Sequence, residues 1–189
     1  MKKIINHKSS IINNSTHGFT LIELMVVIGI SMVIGAASLA AYSNFNSKQQ
    51  VDQTAFHLVS MFEKAKFSAL SNTHSTSCLS GYTNTLRYGV QIITSTTPDT
   101  YRLRATCKRV SPPGTSVRDI PPLFTVPKSV TISRAGACAG QYYYESINNL
   151  FFCSSSGLST PSGNSTITIA YGSYSKIITI TPNGKVTIN

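Results

Sequence analysis

Gly18–Ala41 reads GFTLIELMVVIGISMVIGAASLAA, and the interpretation of the whole chain turns on this stretch. Glu23 is the one charged residue between Phe19 and Ala41. A helix needs roughly 20 consecutive apolar residues to cross the ~30 Å hydrocarbon core of a bilayer, so the run predicts a membrane-crossing helix. Met1–Gly18 ahead of it is polar, basic and free of acids. It lacks the apolar centre of an ordinary secretory signal. Lys2, Lys3 and Lys8 should stay cytoplasmic by the positive-inside rule, which places the carboxyl side of the run outside.

A lone carboxylate costs about 2.5–3.5 kcal/mol at the centre of a membrane helix on insertion scales, and less near the interface. No Lys, Arg or His lies within a helical turn of Glu23, so its partner is expected from elsewhere. A cut after Gly18 would create an α-amino group on Phe19. In a helical array that amine on one subunit can neutralise Glu23 of its neighbour, turning a cost in the monomer into a register force in the polymer.

Gly18-Phe19-Thr20-Leu21-Ile22-Glu23-Leu24 closely resembles the type IV prepilin motif. In that family a membrane peptidase cuts after the Gly and methylates the new terminal Phe, and the fifth mature residue is Glu. The resemblance implies that Gly18 and Phe19 flank the cleavage site, that Phe19 is the methylated terminus, and that Glu23 is the assembly residue. Leaders in this family are often shorter, which would place the true start downstream of Met1.

Helical character continues past Ala41. Val51, Ala55, Leu58, Phe62, Ala65 and Ala69 recur at spacings of three and four, the signature of one buried helix face. Lys48, Asp52, Gln53, Glu63, Lys64 and Lys66 mostly fall off it. No Pro interrupts 19–72, so the expectation is a single helix of about 80 Å. Its first half (19–41) lies in lipid or a filament core, and its amphipathic continuation (42–72) packs on a globular domain (73–189). His57 and His74 read as surface or cap residues.

After Asn72 the period becomes β. Expected strands are Leu86–Ile93, Thr100–Thr106, Ser129–Ser133, Gln141–Glu145, Leu150–Cys153, Ser165–Tyr171, Lys176–Thr181 and Lys185–Ile188. Asn183-Gly184 suits a two-residue type I′ turn between the last two, and Pro182 beside it suggests an edge strand. Ser111–Pro122 and Ser154–Asn164 read as irregular loops. The fold class is therefore α+β and pilin-like, a long amino-terminal helix on an antiparallel β domain. Tyr142–Tyr144 should contribute at least one ring to its core.

Only 12% of residues are charged, and Ser, Thr and Asn are abundant, which suits a β-rich extracytoplasmic domain. Cys78, Cys107, Cys138 and Cys153 all follow the apolar run and read as two disulfides with three connectivities. Cys138 and Cys153 are close in sequence and flank Tyr142–Tyr144, which favours that pair and, by default, Cys78–Cys107. No metal or cofactor is expected. The acids are scattered singly, and the nucleophile elbow, zincin helix and P-loop patterns do not occur, so the chain reads as a non-enzyme.

A long helix followed by an all-β domain resembles the GspH/FimT branch of pseudopilins and minor pilins. That resemblance implies a low-abundance subunit of a type II secretion pseudopilus or a type IV pilus. It would be processed by prepilin peptidase, held in the inner membrane with its β domain periplasmic, and assembled with other pilin or pseudopilin subunits.

The alternative is a DNA-binding minor pilin. The formal net charge is +10, of which the three leader lysines supply a part and leave about +7. Arg102 and Arg104 alternate with Leu103 and should share a strand face, with Lys108 and Arg109 following and Lys185 near the carboxyl end. Such a surface would bind phosphates without reading sequence, and Tyr82, Tyr88 and Tyr101 could stack on bases. Some FimT-like minor pilins bind DNA through a carboxyl-terminal Gly-Arg-x-Arg turn. Gly184-Lys185-Val186-Thr187 fills one of its two basic positions.

Overall fold

The computed structural model describes residues 18–71, 78, 82–109, 114–138, 141–145, 150–154 and 158–189. Met1–His17 of the expected leader and His74 lie outside them. The chain divides into two compact units, Met1–Tyr42 and Ser43–Asn189. A 50-residue helix α1 (Leu21–Leu70) runs through that division.

In the first unit the helix carries the apolar run, with Leu21, Ile22, Met25, Val33 and Leu39 all exposed. It is long and apolar enough to cross a membrane. Among the described residues these side chains have no internal partner, and an exposed apolar run of this kind is the sort of surface that lipid or other chains cover.

The second unit is built on the other half of α1. Val51, Ala55, Leu58, Phe62, Ala65 and Ala69 are at most 1% exposed, so the spacing read from the sequence is the buried face. Met61 widens it, and Ser47 and Thr54 are buried beside it. Each of these two hydroxyls donates to a carbonyl one turn back, Ser43 at 3.0 Å and Gln50 at 2.8 Å, which makes their burial tolerable.

Among the described residues ten strands follow in two antiparallel sheets. The first contains β1 (Tyr82–Ile93), β2 (Thr100–Arg109), β3 (Gly114–Thr125), β5 (Gln141–Glu145), β6 (Phe151–Ser154) and β7 (Leu158–Ser159), in the order β3-β2-β1-β5-β6-β7. The second contains β4 (Thr131–Gly136), β8 (Ser165–Tyr171), β9 (Tyr174–Ile180) and β10 (Val186–Ile188), in the order β10-β9-β8-β4. Alternation aims Tyr88, Val90, Ile92, Tyr101, Leu103, Ala105, Tyr142, Tyr144 and Phe151 of the first sheet into the core, with Ile167, Ile169, Ile178 and Ile180 of the second. Phe62 of α1 meets Tyr142 edge-on, ring centroids 5.3 Å apart. Two disulfides, Cys78–Cys107 and Cys138–Cys153, join these pieces.

Several expectations need correction. Part of the expected loop Ser111–Pro122 is strand β3 at the sheet edge. Its two prolines are tolerated because Pro121, Pro122 and Leu123 fall where the register slips between Tyr101↔Phe124 and Leu103↔Ile120. An edge bulge does not need their missing N–H groups. The expected loop Ser154–Asn164 contains β7, which pairs with β6 through Ser154↔Leu158 and Cys153↔Ser159. β1 begins at Tyr82, ahead of Leu86, across two register shifts against β2.

The last hairpin is not a two-residue Asn-Gly turn. Gly184 N–H donates to Thr181 O at 2.8 Å and Thr181 N–H to Lys185 O at 3.0 Å, so Pro182, Asn183 and Gly184 form a three-residue loop. Gly184 takes the left-handed position, φ +74°, as such loops require. Pro182 suits the turn position ahead of it, where its fixed φ is favoured. β10 is an edge strand of its sheet.

Candidate functional site

The amino end of α1 is the first candidate site. Thr20 lies just before the helix, and its carbonyl accepts the first helical hydrogen bond from Leu24 N–H at 3.2 Å. Its hydroxyl accepts from Glu23 N–H at 3.2 Å. In return one Glu23 carboxylate oxygen, Oε2, lies 3.4 Å from both Thr20 N and Thr20 Oγ1. This reciprocal pattern is a capping box, which satisfies two amide groups that helix geometry leaves open. Phe19 and Leu24 occupy the flanking positions of a hydrophobic staple.

Glu23 therefore also finds hydrogen-bond partners within its own helical turn, on Thr20, and Thr-x-x-Glu ahead of the apolar run is the sequence signal for them. Among the described residues no cation pairs with Glu23. Gly18 and Phe19 are exposed, Phe19 at 82%.

The second candidate is the outward face of the first sheet. Arg102 and Arg104 do project together, opposite the buried Leu103. They converge on one carboxylate: Arg102 Nη1 is 2.6 Å from Asp119 Oδ2, and Arg104 Nε is 2.7 Å from Asp119 Oδ1. Cross-strand register causes this, since Arg104 of β2 lies opposite Asp119 of β3. Arg102 also donates to Gln91 at 2.8 Å.

Arg87 pairs with Glu145 at 3.1 Å and lies over the Phe152 ring. Arg87, Arg104, Thr106, Gln141 and Tyr143 border an open groove of about 390 Å³. On β1 beside Tyr143, a Cβ at Gly89 would come within 2.3 Å of Tyr142 O and 2.5 Å of the Tyr143 ring. Tyr143 is nearly buried on this face. Burial pushes its hydroxyl pKa up, against the lowering influence of Arg104.

Lys108 is exposed on the same strand; Lys185 is exposed at the end of the last hairpin loop, in the other sheet. The side chains of Arg109 and Tyr82 lie outside the description. Tyr88 and Tyr101 cannot stack on bases as expected, because both are 4% exposed and belong to the core. Tyr101 is held there by His57, whose Nδ1 is 2.8 Å from the Tyr101 hydroxyl and whose ring packs 4.2 Å from that of Phe124. His57 is thus a half-buried packing residue between helix and sheet, neither surface nor cap.

A family described as the prokaryotic N-terminal methylation motif matches residues 13–39. The chain is also similar to a fimbrial protein of Moraxella nonliquefaciens, 38% identical over 81 residues, which is 43% of this chain and 50% of that protein. It thus spans about half the length of that curated relative. No solved structure matches it.

Proposed function

We propose that this type IV pilin-like chain is a minor subunit of a pilus or pseudopilus, of the GspH/FimT branch. It is cut between Gly18 and Phe19 by prepilin peptidase and methylated on Phe19. It waits in the inner membrane with Ser43–Asn189 outside, then enters a fibre with other pilin or pseudopilin subunits. The observation that carries this reading is Glu23: one charge in an otherwise apolar exposed run, hydrogen-bonded by Thr20 but without a counter-ion among the described residues. The Phe19 amine of a neighbouring subunit supplies that counter-ion and sets the register, while the exposed apolar side chains supply lateral packing.

Mass spectrometry of the protein purified from cell membranes tests the processing step. A terminus at methylated Phe19 is expected, and an intact Met1–Gly18 segment would remove the reading. Glu23→Val should insert normally and fail to enter fibres alongside its partner subunits. Unchanged incorporation would take the register role away from Glu23.

The DNA-binding alternative draws on the outward face of the first sheet, where Arg87, Arg102, Arg104 and Lys108 outnumber Asp119 and Glu145. It is the weaker reading, because the three arginines already hold carboxylates. Binding to single-stranded DNA that falls steeply with salt would favour it.

A further inference from the structure

The free edge of β3 and a pocket beside it are explained neither by the processing motif nor by the outward arginines. β3 ends the strand order of its sheet. Among the described residues its side away from β2 therefore presents unpaired N–H and C=O groups. Gly114–Ile120 keeps a regular register against β2, and the slip at Pro121, Pro122 and Leu123 ends it. Ser116, Arg118 and Ile120 of that regular stretch are half-buried and lie opposite Cys107, Ala105 and Leu103. Those three β2 residues are buried, so this is the core side of β3.

A pocket of about 220 Å³ lies at Ile120 and the Pro121-Pro122 bulge, walled by Met61, Leu103 and Phe124 and rimmed by His57 and Lys64 of α1. An apolar cavity of about 150 Å³ holds one benzene ring, so this pocket takes a large apolar side chain. No acid lines it, and Lys64 makes no ion pair among the described residues. Two residues before Ile120, Arg118 Nε is buried without a hydrogen-bond partner among the described residues. A buried charged donor left this way is costly until an acceptor reaches it. Nε and one Nη of a guanidinium together suit a carboxylate.

We propose that the β3 edge accepts an extended segment of a partner protein as an added antiparallel strand, selected by a large apolar residue and an acidic residue two positions after it. Every strand pair in both sheets is antiparallel. Residues opposite one another on paired strands share a face, about 5 Å apart. In an antiparallel partner the residue opposite Ile120 comes two before the residue opposite Arg118. The first enters the pocket and the second sets its carboxylate on the Arg118 guanidinium, with Lys64 adding positive charge at the rim. Main-chain bonds along Gly114–Ile120 supply affinity and the two side chains supply specificity. The surface belongs wholly to the second unit and does not depend on processing of the amino end. An inward charge on an edge strand can instead guard against strand addition; the two roles predict opposite effects of removing Arg118.

The test uses the full chain in detergent micelles, with empty micelles as the blank. The chain has no Trp, so a Trp in the probe reports on the pocket alone. The probe is the end-blocked peptide Ser-Thr-Thr-Trp-Thr-Glu-Thr-Thr-Ser, titrated by Trp emission. A second peptide carries Lys in place of Glu. Two further copies are N-methylated on alternate residues, one in each phase; each keeps the side chains and removes one row of backbone donors.

A blue-shifted Trp emission on binding is expected, with binding lost in one N-methyl phase and kept in the other. The Lys peptide should bind about tenfold more weakly, the scale of one hydrogen bond between charged groups. Arg118→Gln should weaken the Glu peptide by a similar factor and remove its advantage over the Lys peptide, in a chain whose near-ultraviolet circular dichroism is unchanged. Lys64→Glu, at an exposed position, leaves the buried guanidinium alone and should weaken the Glu peptide roughly threefold, as for an exposed charge pair. Tighter binding to Arg118→Gln would make Arg118 a guard and overturn the proposal. Equal affinity of the two N-methyl peptides would overturn strand addition, and an unshifted emission or equal binding of the Glu and Lys peptides would overturn the recognition pattern.

Discussion

Alkaline pH should unfold the β domain through its buried tyrosines. Tyr142 is fully buried with its hydroxyl donating to Cys138 O at 3.0 Å, and Tyr144 donates to Gly184 O at 3.0 Å. Burial pushes Tyr142 up to about 12, opposed in part by Arg134, and pushes Tyr101 up to about 12. Tyr144 is raised further, by burial first and then by the Glu63 charge. An unfolded tyrosine titrates near 10. Between pH 10 and 12 the folded state therefore holds more protons than the unfolded state, so stability is full below pH 10 and falls as pH rises toward 12. Two pKa units on Tyr142 alone correspond to about 2.7 kcal/mol, a large share of a typical 5–15 kcal/mol.

The assay is phenolate absorbance and far-ultraviolet circular dichroism of the full chain in detergent after a pH jump. Of the nine tyrosines, Tyr101, Tyr142 and Tyr144 should ionise only well above pH 10, in step with loss of β signal. Tyr142→Phe should make the alkaline loss shallower. All tyrosines ionising as one class near pH 10 with the β signal intact would refute the reasoning.

Phe62→Ala empties the fully buried position against Tyr142 and should cost about 3–5 kcal/mol, read as a lowered urea midpoint for the β domain. Thr20→Ala removes both hydroxyl contacts of the capping box and should weaken the helix start by about 1 kcal/mol, seen as faster amide exchange at Glu23; Thr20→Ser should restore it. Asp119→Asn releases Arg102 and Arg104, so polyanion affinity at low salt should rise and its salt dependence steepen. Unchanged DNA binding would show that this face does not meet phosphate.

Legibility followed the range of the interactions involved. The buried helix face was readable because a 3.6-residue period reports one side of one element. Ser165–Tyr171 and Gln141–Glu145 were readable from β-branched and aromatic runs. β3 was not, because Pro121 and Pro122 are acceptable only at an edge with a bulge, and strand order makes that edge. The carboxyl-terminal hairpin was half legible: its position follows from Asn183-Gly184, its length from Pro182 ahead of them. At the amino end the capping box was local and could have been read from Thr20 and Glu23.

The sequence alone determined what depends on neighbours along the chain: an apolar run, one carboxylate inside it, an amphipathic continuation and a change to β period. Tertiary structure decided what depends on neighbours in space. It withdrew Tyr88 and Tyr101 into the core, and set Asp119 opposite Arg104 so that a run of arginines became a set of ion pairs; the pairings Cys78–Cys107 and Cys138–Cys153 are those the sequence favoured. The physical reason is that hydrophobic periodicity is written into a single element, whereas charge pairing and edge position arise only when strands far apart in sequence take a common register.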